Sequence, residues 1–149
     1  MKESEIQKLL KPFSKKTIET INYLRAFVKT IYPEANEIFY DNYNALAIGW
    51  SLSDKQTHII CSHAIYHTNE NIHFGFMQGT QLKDPDKILL GQGKIYRYVL
   101  VSDKSKFPKE EIKKIMSQAY ILAMSKLKDQ SQTIKGQTIL KSISSKKRK

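Results

Sequence analysis

The chain has 149 residues, 40% of them hydrophobic, and a formal net charge of +11. That length corresponds to one domain, and no apolar run approaches the roughly 20 residues that span a bilayer. A lone cysteine, Cys61, excludes an internal disulfide framework. Met1–Glu5 carries acids and no apolar stretch, so a signal peptide is not expected and a cytoplasmic protein is.

Residues 4–11 read as a short helix, with Ser4 as N-cap and Gln7 completing a capping box. Pro12 stops it. Ser14 caps a longer helix whose apolar residues Ile18, Ile21, Leu24, Phe27, Val28 and Ile31 fall on one face, and Pro33 ends it. The period then changes. Residues 38–43, 45–50, 57–66, 72–77 and 94–101 read as strands, rich in β-branched and aromatic residues and separated by polar turns. Asp84-Pro85-Asp86 opens a turn or a single helical turn through Leu90. Pro108 and the acids Glu110 and Glu111 suit the start of a last helix, with Ile112, Ile115, Met116, Ala119, Leu122 and Ala123 as its buried stripe. Beyond Lys128 the chain turns polar, and Ile134, Ile139 and Leu140 suggest at most a weak extra helical turn.

Short links between consecutive strands require antiparallel neighbours. The expected architecture is α+β: a two-layer sandwich with an antiparallel sheet of about five strands and the N- and C-terminal helices on one face. Residues 1–128 form the expected domain and 129–149 a basic, polar tail. The charge is concentrated there. Residues 126–149 hold eight bases and one acid (Asp129), or +7, leaving +4 for the rest of the +11.

Four of the six glycines, Gly75, Gly79, Gly91 and Gly93, lie between Phe74 and Tyr98, alternating with bulky residues. Several segments occur in a familiar order: Tyr32-Pro33-Glu34-Ala35, Tyr40-Asp41-Asn42-Tyr43-Asn44-Ala45-Leu46, Phe76-x-x-Gly79-x-x-Leu82-x-Asp84-Pro85, Leu89-Leu90-Gly91-x-Gly93-Lys94 and Arg97. Over residues 18–123 this resembles the YdhG-like family, a domain of unknown function. The resemblance implies a compact α+β domain with an antiparallel sheet. Some members are likened to frataxin-type iron chaperones. Hard iron ions prefer oxygen ligands, and 14 acids against 25 bases supply no acidic ridge here.

Three constellations are candidate sites. Gly91, Gly93, Lys94 and Arg97 offer backbone N–H groups and two cations to an anion. With Tyr40, Asp41, Tyr43 and Trp50 they could line a pocket for a small ligand. The alternative is that the glycines shape a strand start and that Asp41–Asn44 is a turn. The spacing around Lys94 fits neither a P-loop nor a dinucleotide fingerprint. Cys61, His63 and His67 alternate along one strand, so they share a face, and His73 comes from the next strand; such ligands suit zinc. The alternative is a half-buried strand face, which the isoleucines at the same parity favour. Lys146, Lys147, Arg148 and Lys149 form a basic run that could tether nucleic acid without reading its sequence, or simply be solvated.

No catalytic residue is nominated and no cofactor is expected. Ser in a G-x-S-x-G turn is missing, and Cys61 and His63 are stacked strand neighbours rather than a nucleophile–base pair. The leading expectation is a small binding domain for an unidentified ligand, anion or ion near the glycine loop. The alternatives are a nucleic-acid-associated accessory protein acting through its tail, then a metal chaperone, with an enzyme ranked last.

Overall fold

The computed structural model describes residues 1–129 and 134–149. Two helices come first, α1 (Glu3–Leu10) and α2 (Lys15–Ile31). The strands β1 (Asn36–Asp41), β2 (Ala45–Ser51), β3 (Ile59–Tyr66), β4 (Ile72–Phe76) and β5 (Arg97–Leu100) follow, then α3 (Lys109–Lys126) and β6 (Thr138–Ile143). Ser14 caps α2 by accepting from the Thr17 backbone N–H at 3.3 Å. α1 is capped two residues earlier than its sequence suggests: Lys2, not Ser4, is its N-cap. There Glu5, not Gln7, reaches back to the Lys2 N–H at 3.3 Å.

Among the described residues the sheet has six strands in the order β5-β4-β3-β2-β1-β6. The first five pair antiparallel as consecutive neighbours, and β6 pairs with β1 in parallel. The α+β class holds, but the sheet is mixed rather than purely antiparallel. Ile139 and Leu140, expected at most in a helical turn, lie opposite Ile38 and Phe39 in a strand. A parallel partner needs a long crossover, and α3 with the segment after it supplies one. None of the described helices is long and apolar enough to cross a membrane.

Alternation along the strands separates two faces. Phe39, Ile48, His63, Phe74 and Val99 form one continuous cross-strand row, and all five are buried beneath the helices. Phe27 of α2 meets Phe74 and Phe107 edge-on at 6.2 and 5.2 Å. Tyr32, which caps α2, stacks on Tyr120 of α3 at 5.0 Å. The helices are thereby tied to each other as well as to the sheet.

The C-terminal segment is stitched to β1 through buried polar groups. Asn36 is fully buried. Its amide nitrogen donates to Ile134 O at 2.9 Å and Ser53 O at 3.1 Å, and its oxygen accepts from Gln137 N at 3.0 Å. Glu37, 3% exposed, takes a bidentate pair from Arg25 at 2.6 and 3.0 Å and a hydroxyl from Thr138 at 3.1 Å. At the far end Ser144 N donates to Asp41 O at 2.7 Å, and Arg148 N to Tyr43 O at 2.8 Å.

The glycines divide by role. Gly91 has φ +122°, which strains any side chain. A Cβ at Gly79 would stand 2.4 Å from the Arg97 Cβ and 2.7 Å from its backbone nitrogen. Gly79→Ala must therefore move main chain, and a loss of about 1–3 kcal/mol in urea unfolding is expected, the usual cost of overpacking. The positive φ suggested for both glycines of the loop is found at Gly91 and not at Gly93, where a Cβ would meet nothing within 4 Å.

Candidate functional site

The eight residues offered as one ligand pocket do not converge. Tyr40 and Asp41 are on β1 and Arg97 is on β5, four positions away across the sheet. At about 4.8 Å per strand that is roughly 19 Å. Trp50 is 2% exposed and faces the helices, where its indole N–H donates to His63 Nε2 at 3.4 Å. Tyr40 is on the opposite face, in register with Ala47, and burial holds its phenol pKa above the ordinary value. Tyr43, half exposed at 50%, sits beyond the end of β1. In the glycine loop Arg97 Nη1 donates to Gly93 O and Tyr96 O, both at 2.7 Å. The guanidinium thus holds the loop's own carbonyls, while Lys94 is exposed.

The metal constellation is also dispersed. Cys61 and His63 do share the helix-facing side with Ile65, as their parity requires. His73 is the in-register partner of Ala64, and Phe74 is that of His63, so His73 points from the other face. His67, just past β3, stacks on Phe13 at 5.7 Å and donates from Nε2 to Asn42 O at 3.1 Å. No group of three His, Cys, Asp or Glu side chains that could hold a metal ion occurs among the described residues. Burial pushes the Cys61 thiol pKa up, which keeps the sulfur protonated and unreactive.

Ser53 and His58 make a closer pair, 2.6 Å between Oγ and Nδ1, with His58 Nε2 3.1 Å from Lys126 O. A carbonyl only accepts, so Nε2 carries the ring proton and Ser53 donates to Nδ1. Ser53 is 7% exposed and its Oγ also accepts from Lys55 N at 3.0 Å. The pair ties the β2–β3 connection to the end of α3, and both residues line a cavity of about 640 Å³. At the other end of the sheet a cavity of about 510 Å³ opens between the start of α2 and the β3–β4 turn. Glu70 stands there with φ +56°, and its carboxylate accepts from Ser14 N at 2.9 Å. That N–H is the main reason its pKa falls below the ordinary value.

What the sheet does assemble is a tyrosine-lined face turned away from the helices. One cross-strand row reads Tyr40, Ala47, Ala64, His73, Leu100, and the next Ile38, Gly49, Ser62, Gly75, Tyr98. Ala47, Ser62 and Ala64 on β2 and β3 make a low floor between rings, while Gly49 is covered by the Ile59 side chain and the Tyr40 ring. From β1 to β4 the trough spans three strand spacings, roughly 14 Å. Its far wall is a ring ladder. Tyr66 and His73 are 4.7 Å apart, His73 and Tyr98 4.0 Å, and Tyr98 and Tyr96 5.6 Å. Tyr96 lies over Gly75, where a Cβ would meet its ring. His73 Nδ1 is buried without a hydrogen-bond partner among the described residues, and burial lowers the ring's pKa.

The basic terminus docks at the β1–β2 end of the sheet. Lys147 Nζ lies 3.2 Å from the Asp41 carboxylate and also donates to Ser144 O. Arg148 Nη1 reaches Asn44 Oδ1 at 3.4 Å. Asn44 precedes Ala45, whose register partner is Tyr66. Lys146, Arg148 and Lys149 are exposed. Within the basic run the roles thus differ: Lys147 is bound to Asp41, which shares its β1 face with Phe39, and Arg148 is held at Tyr43 and Asn44 in the β1–β2 turn.

Sequence reading missed Tyr66, Tyr96 and Tyr98 as a set. Their signal was the period-2 placement of rings opposite Ala and Gly, which becomes visible only once strand register is known. The chain matches no family model, no curated protein and no solved structure.

Proposed function

We propose that the protein is a binding module for single-stranded nucleic acid, laid across the sheet face opposite the helices. The observation that carries this reading is the docking of Arg148 at the β1–β2 turn, on the backbone of Tyr43 and the side chain of Asn44, next to the Ala45–Tyr66 pair at the end of the tyrosine face. Phosphates and bases need different partners. Lys146, Arg148 and Lys149 supply cations, and Tyr43 and Tyr66, which are not enclosed between stacked rings, supply rings on which unpaired bases stack irrespective of sequence. The net charge of +11 favours a polyanion over a neutral ligand. A shallow open face fits a splayed single strand and gives no protrusion to enter a duplex groove. The glycine-loop pocket is the weaker reading, because its residues are spread across the sheet. The YdhG-like resemblance is compatible with a binding domain and adds no ligand.

Fluorescence anisotropy with a labelled single strand of about 12 nucleotides tests the idea. At low salt the dissociation constant is expected on the order of 10 µM, typical of non-specific binding. Replacing Lys146, Arg148 and Lys149 together by alanine should lower the slope of log affinity against log salt by about 2, since each neutralised phosphate contributes about 0.7. Tyr66→Ala should cost about 1–3 kcal/mol at every salt concentration and leave that slope unchanged. No binding of single strands at low salt, or an unaltered slope in the triple variant, defeats the reading.

A further inference from the structure

The second half of α3 departs from the two-sided pattern of a surface helix. It reads Ala119-Tyr120-Ile121-Leu122-Ala123-Met124, and at 3.6 residues per turn six consecutive residues pass a full circle. Helices apolar on every side are normally enclosed on every side. Here Ala119 and Ala123 face the core, while Ile121 is 69% exposed. Beside it two cavities of about 210 and 340 Å³ share Leu82 and Leu122. They form one groove between α3 and the turn at Gly79–Gln81, with Met77, 42% exposed, at its end.

The groove's rim is amide-rich and held by its own bonds. Gln118 accepts from Lys83 N at 2.8 Å and donates to Lys83 O at 3.0 Å. Gln81 donates to Gln78 at 2.9 Å. Lys126 is the charged residue among those lining the groove, and no carboxylate lines it.

We propose that this groove docks an amphipathic helix of a partner protein, with apolar anchors one turn apart and glutamate or aspartate along its flank. An apolar floor with short amide sides is suited to i, i+3/i+4, i+7 anchors. The charge decides between occupants. Lys126 at the rim, with Lys83 and Lys114 nearby in the chain, complements an acidic flank. A second copy would bring Lys126 against Lys126 with no carboxylate lining either groove, so self-association through this surface is opposed. The groove belongs to the helix layer, so the partner and a strand on the tyrosine face can bind together. The two proposals stand or fall separately.

The test uses the full chain, ¹⁵N-labelled, and two synthetic peptides of about four helical turns with leucines on one side. One peptide carries glutamates on the remaining positions and the other lysines. The glutamate peptide should shift amide signals of residues 77–82 and 118–126, and the lysine peptide should bind at least about threefold more weakly. Ile121→Glu, at an exposed position, should weaken the glutamate peptide about tenfold. In a second variant, Leu122→Ala should weaken it also. Absence of shifts at millimolar glutamate peptide overturns the proposal, as does equal binding of the two peptides. Self-association of the unliganded chain that Ile121→Glu abolishes also overturns it, and assigns the groove to a second copy.

Discussion

Truncation after Asp129 is expected to lower stability by about 3–5 kcal/mol and the melting temperature by about 10 °C. The deletion removes β6, which pairs with β1 from Glu37 to Asp41. It also strips the Asn36 amide of its bonds to Ile134 and Gln137 and the Glu37 carboxylate of Thr138. Each buried polar group left unpaired costs about 1–3 kcal/mol, less where water can reach it. The bare edge of β1 then presents free backbone donors and acceptors, a template for another chain. Thermal melts by circular dichroism, with sedimentation to detect self-association, check both effects. Asn36→Ala should reproduce part of the loss while leaving the basic residues in place. A truncated protein that melts within about 2 °C of the full chain would mean that the terminus is not docked as described.

The second large effect is acid lability centred on His63. Its ring is fully buried. Nε2 accepts from Trp50, so Nδ1 carries the proton, and Nδ1 has no partner among the described residues. Burial, with a smaller contribution from the Arg25 charge, pushes its pKa down to about 3. In the unfolded chain it returns to about 6.5. Between these values the unfolded state binds a proton that the folded state refuses, so stability rises with pH across that window. Its contribution is complete above about pH 6.5 and is lost at up to about 1.4 kcal/mol per unit as the pH falls toward 3. By pH 4 the loss from this residue is on the order of 3 kcal/mol. His73, also lowered by burial, acts in the same direction. His63→Gln keeps an acceptor for Trp50 and does not titrate. Urea unfolding from pH 7 to pH 4 should show a shallower pH dependence in that variant, whatever its stability at pH 7. Parallel curves for the two proteins would refute the assignment.

The contrast between what could and could not be read from the chain follows from distance along it. α2 was legible because its cap, its apolar spacing and its terminating proline all lie within one stretch. The five antiparallel strands were legible because each pairs with its chain neighbour, β1 to β4 across short turns and β5 after a loop of twenty residues. β6 was not. Its partner lies 101 positions earlier, and its own residues are half-buried or exposed as befits an edge. Thr138, Ile139 and Ile143 carried a weak β-branched signal, and the surrounding lysines and serines outweighed it. The proposed pocket failed because aromatic and charged residues were grouped by residue type, whereas strand order sets the distance from Tyr40 to Arg97. The metal set failed on register: antiparallel pairing placed Phe74, not His73, beside His63. The tyrosine face was hidden for the same reason, since Tyr66 and Tyr98 meet through His73.

The parallel closure of β6 onto β1 has a kinetic consequence. Strands β1 to β4 join across loops of three to seven residues, whereas the last pairing closes a loop more than about tenfold longer, at an extra entropic cost of about 2 kcal/mol. Assembly should therefore run through a five-stranded intermediate arrangement before the sixth strand arrives, with the slowest phase reporting on the arrival. During that interval the flank that will receive β6 is open to any neighbouring copy, so refolding yield should fall as protein concentration rises.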